Sequence, residues 1–299
     1  MAFATTIEEQ IQLLKSRGVI IKDEQKAREI LADIGYFRLC TYFFPFEKTY
    51  PQVHNRTHEY IPNTHLEDAV ALYYFDVDIR RVMQNYLARI EVAVRTAIVY
   101  EISNYYKTNP FWFVDNTIVD ASNIAYFNNN IYTPKFKNDH PVIRRHHQHH
   151  PKDKYAPAWK TLEYMTFGAI LNLFNSIFSV DARRLVTQRF GVKKLSVFKN
   201  YFMHICTARN ICAHGSALFD VALNQAIIDG PAGKMLNNKQ NLQGILMIVH
   251  YILTQISVNR AADFKREIGT LFDELNNKNP HIYPQIVKIT GYNEDFFKK

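Results

Sequence analysis

The segment TARNICAHGS, residues 207–216, sets Arg209, Asn210 and His214 within six positions. These residue types suit work on a phosphate. An arginine guanidinium keeps its proton and offers a planar fork of donors. A histidine changes charge near neutral pH and so passes protons. An asparagine amide can position either group. The preceding run, LSVFKNYFMHIC, is strongly apolar. On a helical wheel with Ile205 at zero, Phe198 falls near 20°, Phe202 near 60° and Arg209 near 40°, at about 100° per residue. Arg209 thus projects from an apolar stripe, where an unpaired guanidinium is costly. It requires a carboxylate, water, a cleft or a second subunit. His214 falls across from the stripe, and Gly215 after it signals a helix end.

Spacing alone does not single these residues out. Arg144 with His149, and Arg145 with His150, repeat the separation inside the polar stretch RRHHQHHPKDK. Context distinguishes Arg209 and His214: an apolar helix, Asn210 between them, and a terminating glycine. A partner for Arg209 is available in YLARIEVAVRTAI. Glu91 sits on the shoulder of that helix's apolar stripe, with Arg95 four residues on in the favourable order. The plain reading is a surface pair with Arg95, worth a few tenths of a kcal/mol; the sharper one is that Glu91 also reaches across to orient Arg209, so that two helices share a polar network.

The elements that must carry these residues read as helices. Thr6 and Glu9 fit a capping box, and Ile7, Ile11 and Leu14 keep helical spacing until Gly18. Asp23 starts a second helix that Gly35 stops. The aromatic run YFRLCTYFFPFEKTY follows. Its rings suit core packing, or stacking on single-stranded bases. Residues 1–50 are expected to form a small helical N-terminal unit, joined by a polar connection to a bundle over 66–275. In that bundle Phe75, Ile79, Val82, Met83, Tyr86, Ile90, Val94 and Ala97 share one helix face. Residues 108–156, rich in proline and asparagine, are expected to be an irregular insertion, and 276–299 a C-terminal tail. A helix break is expected near Asn259. No run sustains a two-residue alternation, so the predicted class is all-α.

Composition bounds the rest. The chain has 299 residues, only 10 glycines, and 39 phenylalanines and tyrosines (21 and 18). That balance argues against disorder and against a glycine-rich nucleotide loop, and no cofactor is expected. Lys and Arg outnumber Asp and Glu by 36 to 28, which favours polyanionic partners. Three cysteines without a framework suggest a reducing compartment. The N-terminus lacks a signal-peptide pattern. The greasiest stretch, GILMIVHYIL, falls short of the roughly 20 residues a membrane span needs. A cytoplasmic protein with no membrane association is expected.

With those residues in view, RNICAHGSAL resembles the R-N-x-x-x-H signature of HEPN domains, helical bundles that include many ribonucleases. The wider chain resembles Abi-like proteins of bacterial abortive-infection systems, of the AbiD/AbiF type. The resemblance runs in order through GYFRLCTYFFPF, YYFDVDIRRVMQNYLARIEVAVRTAI, PAWKTLEYMTFGAILNLF and ARNICAHGSALFD, over about residues 10–220. It implies a HEPN-like bundle and a metal-independent endoribonuclease acting in phage defence as a growth-arresting toxin. Arg209, Asn210 and His214 match the signature. Glu91 and Arg95 match an I-E-x-x-x-R element and Glu163 a W-x-x-x-E element, implying a supporting polar network. The implied partners are RNA as substrate, a second copy completing a composite site, and an antitoxin protein or noncoding RNA. The implied products are a 2′,3′-cyclic phosphate and a 5′-hydroxyl.

The residues leave two other readings open. The bundle could hold RNA or a protein without cutting. His146, His147, His149 and His150 could bind a transition metal, although no carboxylate clamp accompanies them; no metal site is expected. Arg144, Arg145, Lys152 and Lys154 are candidates for salt-sensitive contacts to RNA phosphates. The apolar face around Arg209 is expected to serve as a dimer seam.

Overall fold

The computed structural model describes residues 4–298. Residues 1–3 of the expected N-terminal unit and residue 299 of the expected tail lie outside the described residues. Among the described residues the chain forms fifteen α-helices and only isolated β-bridges. No described helix is long and apolar enough to cross a membrane.

Three helices open the chain: α1 (Ile7–Ser16), α2 (Glu24–Ile34) and α3 (Tyr36–Phe43). Their boundaries follow the local chemistry. The Thr6 hydroxyl accepts from the Glu9 N–H while Glu9 accepts from the Thr6 N–H, completing the capping box. Asp23 accepts from the Lys26 N–H to cap α2. Gly35, at φ 86°, turns the chain from α2 into α3.

The axis of the molecule is α4 (Leu66–Tyr105), a helix of 40 residues and roughly 60 Å. Its expected face is buried throughout, from Phe75 and Ile79 to Val94 and Ala97. Around it pack α3, α8 (Ala158–Thr161), α9 (Phe167–Asn175), α10 (Val180–Gln188), α11 (Leu195–His214), α12 (Leu242–Ile256) and α13 (Val258–Lys278). Ser257 separates α12 from α13 and caps the latter through the Arg260 N–H, at the break expected near Asn259.

The N-terminal unit is helical, as expected, and its core residues join one cluster with the bundle. Tyr42 donates to Asp76 on α4 at 2.9 Å, and Tyr50 donates to Asp220 at 3.0 Å. Two features differ from the sequence expectations. The insertion is largely regular: it holds α5 (Ala121–Tyr126), α6 (Pro134–Asp139) and α7 (Pro141–His149). Proline, read as a breaker, stands there at the first helical position, where its missing N–H costs nothing. The tail is packed as α14 (Tyr283–Thr290) and α15 (Glu294–Lys298), with Tyr292 stacked on Phe272 of α13 at 3.6 Å between ring centres.

Candidate functional site

Helix α11 presents two unlike faces. Phe198, Tyr201, Phe202, Ile205, Ala208 and Cys212 are buried, whereas Thr207, Asn210 and His214 are exposed. The buried stripe is covered by the chain's own α4, α9, α10 and α12. The apolar face around Arg209, expected as a dimer seam, is therefore internal core.

Arg209 stands at the edge of this stripe with its side chain 36 % exposed. Its Nε donates to Glu91 Oε2 at 3.2 Å, joining α11 to α4. The other Glu91 oxygen accepts from Arg95 Nη2 at 2.8 Å. The same Nη2 also donates to the Met165 carbonyl at 3.0 Å, in the turn before α9. Arg95 Nη1 lies 3.9 Å from Glu163 Oε1. One chain of charges thus runs Arg209, Glu91, Arg95, Glu163. The bidentate use of Glu91 keeps both guanidinium groups paired where burial would otherwise penalise them.

With Nε committed to Glu91, it is Nη1 of Arg209 that meets the exposed Asn210. Nη1 donates to Asn210 Oδ1 at 3.3 Å. Asn210 Nδ2 lies 4.0 Å from Cys206 Sγ. Burial pushes the Cys206 thiol up, which leaves it protonated near neutral pH and a poor nucleophile.

His214 closes α11. Gly215 follows at φ 71° and ψ 20°, a left-handed cap whose N–H bonds the Ile211 carbonyl. The imidazole is exposed and takes no hydrogen bond within the described residues. Five residues apart on one helix, Arg209 and His214 point about 140° apart. Asn210, four residues before His214, shares its face.

Two arginines that spacing gave no reason to select also meet this helix end. Arg38 on α3 donates through Nη1 to the Gly215 carbonyl at 3.0 Å. Arg80 on α4 pairs with Asp76 at 3.0 Å. A Cβ added at Gly215 would lie 3.6 Å from Nη1 of both. Asp76 is fully buried and also accepts from the Leu218 and Phe219 N–H groups, at 2.9 and 2.8 Å. It thereby fixes the chain leaving α11. The contacts from Arg38 and Asp76 to the chain leaving α11 join segments more than a hundred residues apart, which no local pattern encodes; the Arg80–Asp76 pair itself is four residues apart on α4.

A concavity opens at each end of the charge chain. One of about 310 Å³ lies beside Asn210 and is lined by Leu171, Phe174, Phe202 and Met203. The other, about 450 Å³, lies beside Glu163 and is lined by Trp159, Tyr100, Thr96 and Lys107.

The insertion residues stand elsewhere. Arg144, Arg145, Lys152 and Lys154 are exposed. Arg144 donates to the Asn138 carbonyl, while Lys152 and Lys154 border a cleft of about 930 Å³. The histidines take separate roles. His146 is buried against Asp153 at 3.1 Å, and burial lowers its pKa. His147 meets the Tyr132 hydroxyl at 2.9 Å. Among the described residues no three His, Cys, Asp or Glu side chains are placed to hold a metal ion.

A family model described as Abi-like protein matches residues 29–220, more than half the chain and the span holding every residue of the charge chain. No curated protein and no solved structure gave a significant match.

Proposed function

Because the chain belongs to the Abi-like protein family, we propose that it is an abortive-infection factor of bacterial phage defence, acting as a metal-independent endoribonuclease of the HEPN type. The observation that carries this reading is the anchoring of Arg209 on Glu91 through Nε. That leaves Nη1 beside Asn210 on the exposed face of α11.

In the proposed reaction the RNA 2′-hydroxyl attacks the adjacent phosphorus. His214 handles the proton, taking it from the nucleophile or giving it to the departing 5′-oxygen. The outer donors of Arg209 stabilise charge on the non-bridging oxygens, and Asn210 positions the phosphate. Glu91 is a positioning residue: it holds Arg209 and is itself oriented by Arg95. The products are a 2′,3′-cyclic phosphate and a 5′-hydroxyl. Arg209 and His214 diverge on one helix, so one phosphate is best served by a homodimer. There the exposed faces of two α11 helices meet, and His214 of one copy stands opposite Arg209 of the other.

The test is cleavage of end-labelled RNA in EDTA by the wild type and by His214→Ala, with solution mass measured in parallel. Loss of cleavage with an unchanged fold is expected, and full activity in the variant refutes the assignment. The unpartnered imidazole favours a second reading, a module that binds RNA or protein without turnover. Tight RNA binding with no cleavage by the wild type supports it.

A further inference from the structure

The chain has two tryptophans, and they differ sharply. Trp112 is fully buried and donates to Ser103 at 3.0 Å. Trp159 is 54 % exposed. Large indoles are seldom left so open in a molecule that buries most of its rings. Trp159 lies one helical turn before Glu163, and both face the groove of about 450 Å³. Tyr100, 57 % exposed, lines the same groove from α4. One face of its ring carries the Arg189 guanidinium at 5.3 Å, and Arg189 is in turn held by Glu101 at 3.3 Å.

The groove is polar between its rings. Thr96 and Asn104 line it, and Lys107 stands at its far end. Asn104 donates to the Tyr100 carbonyl at 2.8 Å, and its own amide oxygen remains available to a ligand. Its volume lies within the roughly 300–1,000 Å³ of small-molecule sites. Exposed aromatic faces, hydrogen-bonding groups between them and a cation at the rim are what a stacked base with its phosphate requires. A sealed protein contact would leave these polar groups unmet. The groove also begins at Glu163, the last member of the charge chain that holds Arg209.

We propose that this groove is a stacking subsite for a nucleobase of single-stranded RNA, with Trp159 and Tyr100 as the platforms and Lys107 on the neighbouring phosphate. It rests on the reading of RNA as the substrate. It places the strand along α4, from the reacting phosphate at Arg209 toward Lys107.

The experiment uses the full chain and a mixed-sequence 2′-O-methyl decanucleotide, which has no free 2′-hydroxyl and cannot be cut. With Trp112 buried out of reach of a stacked base, a ligand-induced change in tryptophan emission reports on Trp159. Saturable quenching is expected on titration, and Trp159→Phe abolishes the signal while largely keeping affinity. Trp159→Ala and Tyr100→Ala each weaken binding, measured by anisotropy of a labelled strand, roughly tenfold. Duplex RNA, whose bases are already stacked, leaves the emission unchanged. Binding with unaltered emission, or equal affinity in Trp159→Ala, overturns the subsite while leaving the RNA reading intact. Emission that changes with protein concentration alone makes the occupant a second copy and also overturns it. Failure to bind or cut RNA at all removes both.

Discussion

Glu91 accepts Arg209 from α11 with one carboxylate oxygen and Arg95 from its own helix with the other, at 3.2 and 2.8 Å. A single anion thus serves two cations, and the two sides of the contact are unequal. Replacing Glu91 leaves two guanidinium groups facing each other, with Arg95 only 10 % exposed. Replacing Arg209 leaves Glu91 still paired. Glu91→Ala is therefore expected to cost about 3 kcal/mol, the lower end of the range for breaking a buried pair. Arg209→Ala is expected to cost about 1 kcal/mol. Urea unfolding of both variants checks the order; equal costs would contradict it.

Arg209→Lys separates charge from geometry. A lysine can pair with Glu91, so stability should stay within about 0.5 kcal/mol. The ammonium has no fork with which to hold Glu91 and a phosphate at once. Under the proposed function, RNA cleavage falls by about 100-fold or more. Near-wild-type cleavage in this variant would mean that Arg209 acts only as a point charge.

Asp76 fixes the exit of α11 through two backbone N–H groups, Tyr42 and Arg80. Asp76→Ala strands all four donors in the core, at an expected cost of about 3–5 kcal/mol. Asp76→Asn keeps an acceptor for the backbone and should cost less. Hydrogen exchange over residues 215–223 is the sensitive readout, and unchanged protection in Asp76→Ala would refute the anchoring role.

The cap at Gly215 carries a backbone cost for any other residue. Gly215→Ala meets only ordinary contacts, at 3.6 Å from Arg38 and Arg80. The left-handed conformation still penalises a Cβ by about 1 kcal/mol. Gly215→Asn should lose less, since asparagine tolerates this region. Thermal denaturation of the pair tests it.

Acid should weaken the fold through its buried histidines. Burial, aided by Lys265, lowers His250 from 6.5 to about 4, and burial also lowers His146 and His204. A depressed folded-state pKa means that the unfolded chain binds protons first. Stability is therefore full above about pH 6.5 and declines as pH falls toward 4. His250 is partly exposed, so its share is discounted to about 1 kcal/mol. His250→Asn should flatten the decline in urea midpoint between pH 7 and pH 5; an unchanged slope would count against it.

Much of the fold follows from local pattern. Thr6, Asp23, Gly35 and Gly215 mark helix ends because capping is decided within a few residues. The α4 stripe is legible because a period of 3.6 records which side meets the core. The insertion and tail were less legible. Their helices are short, and packing rather than periodicity sustains them. Prolines at the first turn look the same in sequence as prolines that break a helix.

The sequence by itself determined which side chains α11 carries and that Arg209 needed a partner, since a guanidinium cannot shed its charge. It named Glu91 as a reachable carboxylate. Only the tertiary structure decided between a plain surface pair and a shared carboxylate at Glu91, brought Arg38 and Arg80 together beside Gly215, and left Trp159 open beside Glu163. Those relations join segments up to 177 residues apart. They depend on how helices pack around α4, a property of the whole core that no short stretch of chain contains.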